Sequence, residues 1–232
     1  MQYQMDNKIE LNNKMFESAR RFNMDKVLEY LNKGADINAT NEEGETVLTL
    51  IAKTNKFDYV PYNLADWLKL VKDDGEMEII LSVKKQIEEA GYFKGGLSDG
   101  MLDETIMRAV DFSKERITMM KKLIERGADV NFFDKSKGGF ACNAIYYAIK
   151  NTEPDSVEFL LNSSADPKVI YFVDEQDSLL DYARLDLFLE ENTLRNWDAE
   201  RTLIHDGKDK RMQENEIVRL KRIVEILETQ KN

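Results

Sequence analysis

The chain has 232 residues, 42% hydrophobic and 33% charged, and its three prolines and eleven glycines leave no room for a long disordered linker, so order is expected nearly throughout. A net charge of −11 and a pI near 4.8 argue against nucleic acid or an anionic membrane as the main partner, because phosphate backbones are held by basic patches, and favour a basic one. One cysteine, Cys142, permits no internal disulfide, and with one histidine, His205, the chain is too poor in ligands for a Cys/His zinc site.

Residues 1–13 are polar and read as a partly ordered cap. Lys14 to Arg21 is a compact helix that places the small Ser18 and Ala19 where a neighbour must come close. After a turn at Phe22 to Met24, Asp25 is expected to cap a second helix, Lys26 to Lys33, that stops at Gly34. The close of that helix, Gly34, Ala35, Asp36, Ile37 and Asn38, returns as Gly127, Ala128, Asp129, Val130 and Asn131, and is echoed by Ser164, Ala165 and Asp166. In the second instance Met120, Leu123 and Ile124 share one helix face, while Lys121, Lys122, Glu125 and Arg126 point away from it. Three statements of one pattern indicate a repeat protein.

These segments resemble the ankyrin repeat. Met15, Phe16, Ser18 and Ala19 match that family's first helix, Val27, Tyr30 and Leu31 its second, and Gly34 to Asn38 its closing turn. The next segment, Asn41 to Ala52, matches the family's finger at Gly44, Thr46, Leu48 and Ala52. It departs at Val47, where the family has Pro, and at Thr49, where it has His. The resemblance implies an all-α ankyrin-repeat solenoid, with stacked helix-turn-helix units and hairpin-like fingers, in a single domain over 1–232. Its five repeats fall roughly at 14–40, 41–92, 100–131, 132–168 and 169–232.

Asp36 and Asp129 stand 93 residues apart, so two periods of about 33 leave roughly 27 over. The surplus is assigned to an insertion at about 57–76, carrying a helix over Leu64 to Val71 with Trp67 on it. Second and first helices are then expected over Met77 to Ala90 and Asp103 to Asp111, followed by Glu115 to Arg126. Repeat 4 runs through Asn143 to Lys150 and Asp155 to Asn162, with Pro154 at a helix start. Repeat 5 opens at Ser178 to Ala183, is interrupted at about 185–213 by a stretch holding Trp197 and His205, and closes on a helix over Glu214 to Glu228. Ile217, Leu220, Val224 and Leu227 form that helix's apolar face.

The architecture implied by the resemblance puts binding on the concave side, made of finger tips and first helices. Two fingers are acidic: Glu42, Glu43 and Glu45 line one, and Asp174, Glu175, Asp177 and Asp181 the other, so a basic partner is expected there. The finger between repeats 3 and 4 carries Phe133, Lys135 and Phe140, and Tyr146 follows on the next helix as a further interface anchor. Cys142, Met119 and Met120 read as core. No catalytic constellation or phosphate-binding loop emerges, and neither cofactor nor metal is expected.

The function expected is non-enzymatic: a protein-protein interaction module, inhibitor or immunity-type, that holds a basic partner on an acidic face. The alternative is a scaffold, adaptor or effector that uses the aromatic finger. No apolar run resembles a signal segment and none approaches the ~18 residues of a membrane span. A monomer in the cytoplasm is the expectation.

Overall fold

The computed structural model describes residues 2–54, 113–132, 134, 142–168, 178–196 and 210–230. Among these the only regular structure is helical: α1 (Gln2–Arg20), α2 (Met24–Asn32), α3 (Val47–Lys53), α4 (Ser113–Ile124), α5 (Ala144–Lys150), α6 (Pro154–Asn162), α7 (Leu179–Arg195) and α8 (Lys210–Thr229). The helices expected over 64–71, 77–90 and 103–111 lie outside the described residues, as do Trp67, Trp197 and His205.

Helix α1 begins a dozen residues before the expected start, so the region read as a cap is part of the first helix. It ends at Arg20, and Phe22, with a φ of 53°, turns the chain. The side chain of Asn23, not Asp25, caps α2 by accepting the Lys26 amide at 3.0 Å. Asn23 sits one residue before the helix, where a side-chain oxygen reaches the third amide ahead; Asp25 is already inside the first turn.

Helices α2, α4 and α6 end alike. The amides of Ala35, Ala128 and Ala165 reach back to the carbonyls of Tyr30, Leu123 and Leu160, and those of Gly34, Gly127 and Ser164 to Leu31, Ile124 and Leu161. This double closure needs a left-handed residue. Gly34 (φ 103°) and Gly127 (φ 95°) supply it without strain, whereas Ser164 (φ 72°) adopts it with a side chain.

The closing turns are then tied to one another. The carboxylates of Asp36, Asp129 and Asp166 each accept the amide two residues on, at 3.1, 2.9 and 2.8 Å. Asn38 accepts the Asp129 amide at 2.9 Å and donates to the Gly127 carbonyl at 3.2 Å. Asn131 does the same one step further, to the Asp166 amide at 2.8 Å and the Ser164 carbonyl at 2.9 Å. At the near end Asn12, on α1, accepts the Asp36 amide at 2.8 Å and starts the series.

That ladder changes the organisation expected from the spacing. The closing turns at 34–38 and 127–131 are direct neighbours, and so are the fingers, since the Asp134 amide meets the Gly44 carbonyl at 3.3 Å. No closing turn among the described residues stands between them. The helices pack in hairpin pairs, α1 with α2, α3 with α4, α5 with α6 and α7 with α8, while α3 also lies between α1 and α5. The described helices therefore form four pairs, and residues 55–112 join the two helices of the second pair.

One core runs through the row. Met15, Phe16, Ala19, Val27, Leu48, Ile51, Met120, Leu123, Ile145, Ile149, Leu160 and Ala183 are all buried in it. On α8 the buried residues are Gln213, Ile217, Leu220, Ile223 and Leu227, and Val224 is only partly covered. Arg116, 1% exposed, lies within this core. Its Nη1 donates to the carbonyls of Ile51, Ala52 and Thr54 at 2.7, 2.8 and 3.0 Å, closing the C-terminus of α3. Its Nε pairs with Glu153 at 2.9 Å, and the guanidinium lies 5.4 Å from the Phe22 ring. A buried charge is tolerated because Glu153 supplies its countercharge and three carbonyls accept from Nη1.

Candidate binding surface

Helices α3, α5 and α7 are the first members of their pairs and lie side by side, α5 in contact with both others. The loop Asn41–Glu45 leads into α3. It is a tight turn in which Gly44 (φ 81°) lets its amide reach the Asn41 carbonyl while the Asn41 side chain accepts the Glu45 amide at 2.8 Å. Thr46 then caps α3, accepting the Thr49 amide at 3.2 Å, with the two hydroxyls 3.1 Å apart. The Thr49 hydroxyl thus bonds where the resembling family carries His.

Glu42 and Glu43 stand exposed at this tip, and Glu43 is partly offset by Arg20 at 3.3 Å. Glu45 does not join them. It is 2% exposed, accepts from Lys53 Nζ at 2.5 Å and from Asn41 Nδ2 at 3.1 Å, and lies 3.3 Å from the Tyr147 hydroxyl on α5. The reason is register. Glu45 directly precedes the N-cap, so its side chain turns in toward α5 and not out with the tip. Its carboxylate welds finger to helix and is not available to a partner.

Asp181, expected on the second acidic finger, is exposed but belongs to the start of α7. It accepts the Ser178 amide at 3.2 Å and hydroxyl at 2.6 Å, while the Ser178 oxygen receives the Asp181 amide in return. The pair is a reciprocal cap. Asp174, Glu175, Asp177, Phe133, Lys135 and Phe140 lie outside the described residues. Helix α7 itself runs straight through the first part of the stretch expected to interrupt it.

Tyr146 is half-buried, and its neighbourhood is the richest on this side. Its ring stands edge-on to Tyr147 at 5.3 Å and tilted against Tyr182 of α7 at 5.2 Å. Burial raises both phenols above their ordinary range, with the Asp186 carboxylate nearby adding to the effect. Tyr147 is likewise raised, by burial and by Glu45, while Lys53 caps its ring at 5.5 Å. Cys142 beneath is a free, buried thiol whose pKa burial pushes up to about 11, so it stays protonated and inert at neutral pH.

Helix α7 adds what the sequence reading missed. Leu185, Phe188 and Leu189 are 55%, 60% and 50% exposed, although Leu180 and Ala183 of the same helix are buried. The signal was present as apolar residues at nearly every turn position from Leu179 to Leu189. Placing an interruption at 185 split the periodicity that would have revealed it. Arg116 was also legible, as the lone charge in the stripe Arg116, Met120, Leu123.

Among the described residues no group of three or more Asp, Glu, His or Cys could hold a metal, and no helix is long and apolar enough to cross a membrane. A scan against protein-family models gives no match, and a search of curated proteins gives no similar sequence.

Proposed function

We propose that the chain is a protein-binding module, an ankyrin-type solenoid without catalytic activity, that seats a basic protein partner on the side formed by α3, α5 and α7. What carries this is the Tyr146–Tyr182 pair with Asp186 beside it. Two half-exposed aromatic rings on neighbouring helices, with a carboxylate at hand, form a receptor for a lysine or arginine side chain, whose cation is attracted to the ring faces. Glu42 and Glu43 at the finger tip extend the same negative field toward a second contact.

In its narrower form the partner is inactivated by the contact, as with an inhibitor or immunity-type protein. An adaptor role, expected on the aromatic finger, shifts in this proposal to the tyrosine pair. The buried free thiol of Cys142 suits a cytoplasmic site of action.

Affinity capture from the native host with the wild type, with Tyr146→Ala/Tyr182→Ala and with Glu42→Lys/Glu43→Lys checks this. A basic protein should be retained by the wild type, lost with the tyrosine variant, and bound more slowly by the charge-reversed one, with association falling as salt rises. A partner retained equally by all three defeats the proposal.

A further inference from the structure

The outer side of α7 carries a stripe that the other described helices leave exposed. Asp181, Leu185, Phe188, Asn192 and Arg195 follow one another at steps of four, three, four and three residues, and all five are exposed. That alternation is the seam by which one helix lies along another. The opposite side of the helix is already used: Leu180 and Ala183 are buried, and α8 packs along the length of α7 through the pairs Arg184–Glu228 at 2.5 Å and Glu191–Lys221 at 2.9 Å. A helix apolar on two sides belongs in an interior, and the described residues cover one side of this one.

The stripe also has a polarity. It is negative at its first position, apolar in the middle, polar at Asn192 and positive at its last. Asp181 and Arg195 are equally distant from Phe188, seven residues to either side. Reversing the stripe exchanges the signs of its ends while leaving Phe188 in place, so the surface is complementary to an antiparallel copy of itself. In a parallel pairing Asp181 would meet Asp181 and Arg195 would meet Arg195. A basic segment of another protein would satisfy one end and oppose the other.

We propose that two copies of this chain associate through α7, antiparallel about a twofold axis at Phe188, with Asp181 of each copy facing Arg195 of the other. The contact is isologous: each copy contributes the same patch. Phe188 packs on its own image at the centre, where interface energy concentrates, and Leu185 and Leu189 flank it. The charged ends set direction more than affinity. The dimer is centred on Phe188, and Phe188→Glu leaves Tyr146 and Tyr182 in place, so failure of this proposal can be told from failure of the one above.

Sedimentation equilibrium over a concentration series reaching the millimolar range tests this on the full chain. The wild type should show a monomer-dimer equilibrium. Phe188→Glu should raise the dissociation constant by roughly tenfold or more, and Leu185→Lys should act in the same direction. Both positions are exposed, so the helical signal and melting temperature of the monomer should not change. Arg195→Asp sets carboxylates against each other at both ends and should weaken the dimer. A monomer at every concentration overturns the proposal, and so does a dimer indifferent to Phe188→Glu. A dimer tightened by Arg195→Gln overturns the antiparallel arrangement, because removing the charge relieves repulsion only where Arg195 faces Arg195, as in a parallel pair.

Discussion

The first three helix pairs and the last are held to their neighbours by different means. Between pairs one, two and three the closing turns are cross-linked by Asn38 and Asn131, each using its amide as acceptor and donor at once. Arg116 crosses the same seams from inside, touching Phe22, the end of α3 and Glu153. Among the described residues the last pair has no such rung. Lys168 stands where Asn38 and Asn131 stood, and α8 reaches α6 through Arg222, which pairs with Asp155 at 2.7 Å and Glu158 at 3.0 Å in the open. Backbone-directed rungs fix register, while an exposed ion-pair fork over an apolar contact fixes only proximity. In a row of units coupled to nearest neighbours, the weaker seam is the one that opens first.

The contrast can be broken most severely from inside. Arg116→Ala leaves Glu153 buried without its countercharge and the end of α3 without its donor, and should cost about 3–5 kcal/mol in urea denaturation. A loss below about 1 kcal/mol would mean water reaches Glu153 and that the seam is looser than its geometry.

Alkaline pH acts on both kinds of seam. Cys142, under the second seam, has its pKa raised from 9.0 to about 11, and Tyr147 and Tyr182 are raised from 10.0. In each case the unfolded chain gives up its proton first. Stability is therefore intact below pH 9 and falls as pH climbs through 9 to 11 and beyond, by a few kcal/mol in all. Melting curves against pH should show this, and Cys142→Ala should remove the part that begins at 9.

Asn38→Ala deletes one rung of the ladder and should cost about 1–2 kcal/mol, two hydrogen bonds near the surface. Hydrogen exchange should then rise at the Asp129 amide ahead of the core. Arg222→Ala is the smallest change, within about 1 kcal/mol because its partners are half exposed. Even so, it should speed exchange in α7 and α8 selectively, and high salt should mimic it. Equal exchange across all four pairs would erase the distinction between ladder and fork.

Much of the local structure was legible beforehand. The stops at Gly34 and Gly127, the start of α6 at Pro154 and the turn into α7 at Ser178 each depend on residues within four positions of one another. Composition groups Glu45 with Glu42 and Glu43, yet Glu45 alone of the three is buried, because burial depends on which helix comes to lie against it. The tyrosine pair was half visible: Tyr146 was singled out, but Tyr182 comes from another helix and no spacing links them.

The sequence by itself determined where helices end and which turns repeat, because caps and left-handed stops are set by short-range sterics and hydrogen bonds. Only the tertiary structure decided which of those turns are neighbours. Counting from Asp36 to Asp129 suggested an intervening repeat, yet Asn38 bonds directly to Gly127 and Asp129. The cost of closing a loop grows only slowly with its length. Residue spacing therefore carries almost no information on whether the chain between two paired helices is short or long, and the pairing of α3 with α4 across residues 55–112 had to be seen in space.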